Sequence, residues 1–185
     1  MVTRVEALDK LQSLISNKNL AKHCLAVENA MLLYADYFKV ETEEKEKWGI
    51  AGLLHDADWE KYPDKHPLVI VEWLKKANAG EDIINAIEAH GFDFGIPAKT
   101  LMAKTLRAVD ELTGLIVAVT LVRESRKLSD VSLDSVLKKW KVPSFAKGVK
   151  REDIEKGAAE IGVPLNKHIE IVLSSMQKIA GELGL

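Results

Sequence analysis

Apolar residues recur at three- and four-residue steps through most of the chain, and the β-branched alternation of strands is nearly absent, so the pattern predicts an all-α fold. The first segment, residues 4–15, places Val5, Leu8, Leu11 and Ile15 on one stripe before Ser16, Asn17, Lys18 and Asn19 break it with turn formers. A second helix is expected over residues 20–38, with His23, Val27, Ala30, Tyr34 and Tyr37 on a shared face that points His23 inward. Thr42, followed by Glu43, Glu44 and Glu46, has the character of a helix start: a hydroxyl to cap free amides, then carboxylates suited to the macrodipole. The helix it opens runs through Gly49-Ile-Ala-Gly-Leu-Leu and ends at His55-Asp56.

Residues 64–67 introduce a further helix through Lys76, which Ala79-Gly80 stops. Glu81 begins another that ends at His90-Gly91, where glycine suits a left-handed cap. Pro97 opens a long helix over residues 98–126 that carries Asp110 at its middle. The last third reads as helices over residues 133–141, 151–161 and 166–183, the final one with Ile169, Val172, Leu173, Met176, Ile179 and Leu183 on one side. No repeat or long linker divides the chain, so one domain over residues 1–185 is expected, with a core at about 20–126 and C-terminal helices at about 132–183 packed on it.

Composition narrows the function classes. Hydrophobic residues make up 47% of the 185, enough for a sizeable core. Lys and Arg total 26 against 28 Asp and Glu, a net charge of -2, so neither a nucleic-acid polymer nor a membrane surface is the expected partner. The longest apolar run, Leu112 to Val122, is bracketed by charged residues and falls short of the ~20 needed to cross a bilayer, which makes it a core helix. A single cysteine, Cys24, excludes an intrachain disulfide and reads as a small buried hydrophobe, not a metal ligand. The opening residues lack the apolar core of a secretory signal, and a reducing cytoplasm is the expected compartment. Oligomeric state is left open: Trp73 and Trp140 fit either a dimer contact or the core.

The pair His55-Asp56 at the end of an apolar helix carries the chemistry. A buried carboxylate beside a buried imidazole needs partners, and a divalent cation satisfies both at once. His23 and Asp110 are the other candidates that turn inward, and imidazole with carboxylate suits Mn, Fe, Co, Ni or Zn better than Ca or Mg. Taken singly, His90 is a residue favoured by a helix C-terminus, His66 before Pro67 is either a capping-region residue or a ligand, and His168 near the start of the last helix faces solvent.

The order His23, His55-Asp56, Asp110 resembles the metal motif of the HD superfamily of phosphohydrolases over residues 20–126. The contexts Gly52-Leu-Leu-His-Asp, Asp64-Lys-His-Pro and Asp110-Glu-Leu-Thr-Gly are similar to the family's as well, and the outline is similar to that of small bacterial and archaeal predicted hydrolases. The resemblance implies a compact HD-domain helical bundle with a short helical C-terminal extension. It implies one metal held by His23, His55, Asp56 and Asp110, and in binuclear members a second held by His66 and His90 with Asp56 bridging. Many members follow the His-Asp pair with apolar-Gly-Lys, the lysine near the substrate phosphate; here Ala57-Asp58-Trp59 follows. Lys61 and Lys65 are substitutes for that charge, and Asp58 is a candidate base or outer carboxylate. Arg107, at i, i+3 from Asp110, either faces the pocket to neutralise a phosphate or pairs with a surface carboxylate, and the surface role is favoured.

A bound metal with an open position lowers the pKa of its water toward ~7, the chemistry of hydrolysis. The expected activity is therefore metal-dependent hydrolysis of a small phosphoester, a nucleotide first, with one or two divalent transition ions. Three other readings compete: a di-iron oxygenase of the same superfamily, a non-catalytic HD module that senses a ligand, and a helical interaction domain whose polar cluster only fixes core geometry.

Overall fold

Thr3 opens the first helix with a reciprocal cap, its hydroxyl accepting from Glu6 N–H while the Glu6 carboxylate accepts from Thr3 N–H. From there the computed structural model describes residues 2–185 as ten α-helices: α1 (Arg4–Leu14), α2 (Lys18–Tyr37), α3 (Thr42–Leu54), α4 (Leu68–Lys76), α5 (Glu81–Glu88), α6 (Leu101–Leu121), α7 (Leu133–Trp140), α8 (Arg151–Glu160), α9 (Leu165–Lys178) and α10 (Ala180–Leu183). Single 3-10 turns lie at Pro63–Lys65, Phe92–Phe94 and Leu128–Asp130, and no strand occurs among the described residues. No described helix is long and apolar enough to cross a membrane.

Several boundaries differ from the sequence pattern for local reasons. Asn17 caps α2, its side chain accepting from Asn19 and Leu20 N–H, so that helix starts before Leu20. Thr42 makes no cap; Glu41 occupies that position and Thr42 lies in the first turn of α3. Thr100 caps Ala103 N–H, which moves the start of α6 to Leu101, and the helix stops at Leu121, short of Arg126. Gly91 is extended (φ -90) and not left-handed; the left-handed residue of that loop is Gly95 (φ 69). The final helix breaks at Ile179. Val5 is 70% exposed, because α1 buries Ala7, Leu11 and Leu14, and Tyr37 is exposed at the end of α2.

The two long helices, α2 and α6, form the centre, and close backbone approaches fix their partners. A Cβ at Gly52 on α3 would lie 2.9 Å from Glu28 N, Glu28 Cα and Val27 O on α2, so glycine is what allows these helices to meet. A Cβ at Gly157 on α8 would lie 2.6 Å from Ala108 Cα on α6. Helix α9 buries Ile169, Val172, Leu173 and Met176 and packs on both α2 and α6.

His168 joins those three helices. The structure corrects its expected solvent-facing position: the ring is fully buried, Nε2–H donates to the Ala108 carbonyl on α6 at 2.9 Å, and Nδ1 accepts from the Tyr34 hydroxyl on α2. Burial pushes its pKa down to about 4, against a small opposing effect of the Ala108 hydrogen bond. The unfolded chain, titrating near 6.5, binds this proton more readily than the folded one. Stability contributed by the neutral ring is therefore complete above pH 6.5 and declines as pH falls toward 4, by about 3 kcal/mol at most. His168→Gln should lose that part of the pH dependence. Urea unfolding of metal-stripped protein at pH 7 and pH 5 measures it, and equal pH sensitivity in variant and wild type would contradict the assignment.

Candidate metal centre

Each candidate donor sits where a helix delivers it. His23 lies in the second turn of α2, His55-Asp56 directly after α3, His66 after the Pro63–Lys65 turn, His90 after α5, and Asp110 midway along α6. The structure brings all six together as two groups, His23 with His55 and Asp110, and Asp56 with His66 and His90. In the first, His23 Nε2 is 3.2 Å from His55 Nε2 and 3.1 Å from Asp110 Oδ1, with His55 Nε2 3.4 Å from the same oxygen. In the second, His66 Nε2 is 3.1 Å from His90 Nε2, and Asp56 Oδ1 is 3.4 and 3.6 Å from these two nitrogens. Asp56 Oδ2 faces the first group, 3.6 Å from His23 Nε2 and 3.6 Å from His55 Nε2. One carboxylate thus presents an oxygen to each group.

The opposite edge of every ring is occupied. His55 Nδ1–H donates to the Gly52 carbonyl at 2.7 Å and His90 Nδ1–H to the Ile87 carbonyl at 2.6 Å. His66 Nδ1–H donates to Asp58 Oδ1 at 2.7 Å. Thr113 gives its hydroxyl proton to the Asp110 carbonyl, so its oxygen accepts from His23 Nδ1–H at 3.2 Å. With the Nδ1 edges taken, the four Nε2 atoms point at one another and at carboxylates, an arrangement that a cation bound between them would satisfy. The electrostatics agree. Burial disfavours a charged His55, but Asp56 and Asp110 outweigh it and raise its pKa to about 9. Burial likewise opposes ionisation of both aspartates, yet His55 and His90 hold Asp56, and His55 and His23 hold Asp110, below the usual carboxylate range. Imidazole nitrogen and carboxylate oxygen in these proportions fit a divalent transition metal.

The HD domain family model matches residues 20–115, a stretch that holds all six donors. The chain belongs to the HD domain family. No curated protein and no solved structure matches it at a significant level. The family is generally one of metal-dependent phosphohydrolases, and the two donor groups are where this HD domain could hold its ions.

A pocket of about 290 Å³ opens beside the candidate donors, lined by Asp56, His66, His90 and Asp110 together with the aromatic rings of Trp59, Phe92 and Phe94. A larger cleft of about 690 Å³ between α6 and α7, lined by Arg123 and Lys138, contains none of the donors. Of the other sequence candidates, Asp58 is fully buried behind His66: Oδ1 accepts from that ring and Oδ2 from Ile70 N–H at 2.9 Å, which leaves it no free edge to act as a base. Lys61 turns away and donates to the Ser13 carbonyl at 2.7 Å, satisfying one of the free carbonyls at the end of α1. Lys65 is exposed outside the pocket lining. Arg107 reverses the favoured surface role: it is 9% exposed and lines the pocket.

Sequence reasoning missed Thr113 as the partner of His23, although its i, i+3 spacing from Asp110 put it on the same face of α6. It also missed Phe92 and Phe94, which follow His90 in an irregular segment without periodicity to place them. The role of Asp58 as the orienting partner of His66 is testable. Asp58→Asn should pair correctly with only one of its two donors and weaken metal affinity of the Asp56, His66, His90 group about ten- to hundred-fold. Titration followed by mass spectrometry should show the His23, His55, Asp110 group still occupied; equal loss from both groups, or from neither, would count against it.

Proposed function

We propose that this HD domain is a phosphohydrolase acting on a small phosphoester, a nucleotide first, with one divalent ion held by His23, His55, Asp56 and Asp110 and a second by Asp56, His66 and His90. The observation that carries this reading is Asp56, which lines an open pocket with Oδ2 toward one pair of imidazoles and Oδ1 toward the other. When bound, Mn, Fe, Co, Ni or Zn would supply Lewis acidity and a water acidic enough to act near neutral pH.

The protein's own part is to hold and exclude. Thr113, Gly52, Asp58 and Ile87 fix the four rings, so no reorganisation is needed when charge develops on the substrate. Trp59 and Phe94 stand at the pocket with 49% and 38% of their surface exposed, each edge-on to His66, and offer planar apolar faces that suit a nucleobase better than a sugar. The net charge of -2 gives no support to a nucleic-acid polymer or an anionic membrane as partner. The single cysteine, buried and without a disulfide partner, suits a reducing cytoplasm. We take the C-terminal helices as part of the same domain, because Gly157 and His168 meet α6 within two residues of Asp110.

Metal content of wild type, Asp56→Ala and His66→Ala, measured beside hydrolysis of a nucleotide panel, tests the reading. Two equivalents are expected in wild type, one in His66→Ala and weakened occupancy of both groups in Asp56→Ala, with turnover of the last reduced about a hundred-fold or more. A wild type that stays metal-free after reconstitution, or an Asp56→Ala protein of unchanged turnover, would overturn it. The bridging position of Asp56 also suits two irons, and oxygen consumption by iron-loaded protein without phosphoester turnover would favour the oxygenase reading. Within the phosphohydrolase reading, Trp59→Ala should raise KM for a nucleotide several-fold while leaving that for a non-aromatic phosphoester unchanged.

A further inference from the structure

Arg107 is a cation that the folded protein does not use. It projects from α6 one turn before Asp110, on the same face, and is 9% exposed. No carboxylate lies within ion-pair distance of its guanidinium among the described residues, no hydrogen bond reaches it, and its Nε–H is buried without a partner. The other pocket cation, Lys150, is already paired with Asp93. Of the other acids in the pocket lining, Glu111 and Asp153 make no ion pair with Arg107. Its guanidinium stacks on an aromatic ring: Cζ sits 4.5 Å from the centre of the Phe92 ring, a ring that also receives Lys156 Nζ at 4.2 Å.

Burying a guanidinium with no counter-ion and an unsatisfied donor is strongly unfavourable, and a cation–π contact offsets only part of it. A protein keeps such a group where the counter-ion arrives from outside. Its fork of N–H donors matches two oxygens of one oxyanion, and Phe92 holds the plane of the fork in place.

We propose that Arg107 is the phosphoryl-binding residue of this pocket, donating Nε–H and an outer N–H to two oxygens of a phosphate group that lies across the pocket from the Asp56 and Asp110 carboxylates, with Phe92 as its positioning residue. The proposal rests on the phosphoester reading and names the group that neutralises the substrate where Lys61 and Lys65 do not reach.

The test uses metal-loaded protein and inorganic phosphate as the probe, with metal content and helicity recorded for each variant. Arg107→Gln should bind phosphate about ten- to hundred-fold more weakly with metal content unchanged, and Arg107→Lys should fall between. Should Arg107→Gln fail to fold, the wild type still decides: the arginine Nε–H resonance that is missing from the Arg107→Lys spectrum should shift on phosphate addition and not on acetate addition. Unchanged phosphate affinity in a folded Arg107→Gln protein, or an Nε–H resonance indifferent to phosphate, overturns the role of Arg107 while the metal centre stands. Metal-loaded wild type that binds no phosphate overturns both this proposal and the phosphoester reading. Protein that takes up no metal is the separate failure of the metal reading.

Discussion

Four imidazoles, each with its Nδ1 edge held by a partner behind it, converge on two places with Nε2 forward. Nitrogen faces nitrogen at 3.2 and 3.1 Å beside carboxylates, a contact that is favourable only when positive charge, as protons or a metal ion, is present there. This is the constraint on which the rest of the arrangement depends, because the fold could relieve it by rotating any ring, and the partners of Nδ1 prevent rotation. Two of those partners are backbone carbonyls at helix ends, Gly52 and Ile87, and backbone cannot swing aside. The orientation of the rings is thus written into main-chain positions as well as into the histidines.

The scaffold ties that orientation to close helix packing. Gly52 does two things at one position: its missing side chain lets α3 lie on the α2 backbone near Glu28, and its carbonyl holds His55. His23 belongs to α2 and His55 follows α3, so the contact that joins the helices also sets the spacing of the two rings. On the far side, Ala108 is pressed by Gly157 from α8 and bonded through its carbonyl to His168 from α9, which fixes α6 between Arg107 and Asp110.

Much of this was legible in the sequence. The three- and four-residue spacing identified an all-helical chain, whereas His66 and His90 joined His23, His55, Asp56 and Asp110 as candidate donors only through the resemblance to the HD superfamily, since a histidine at a helix end carries no sign of its own that it is a ligand. Boundaries were less legible, since caps such as Asn17 and Thr100 compete with pattern, and only coordinates show which side chain reaches the free amides. His168 was misplaced although it shares the Leu165, Ile169, Val172 stripe; a histidine among Lys167 and Glu170 reads as polar until the Tyr34 hydroxyl and Ala108 carbonyl are seen to satisfy both ring nitrogens. Lys61 and Arg107 exchanged their expected situations for a related reason. A charged side chain's partner lies elsewhere in the chain, and linear spacing does not say whether that partner exists.

The pinning of Ala108 bears on how portable this site is. The helices that hold it, α8 and α9, lie beyond the stretch that matches the family model, residues 20–115. Cut to that stretch, the chain would keep every candidate donor yet lose the carbonyl's partner and the glycine seat beside it, baring the buried side of α6 to water. The family's portion of the molecule carries all six candidate donors without being a complete vessel for them.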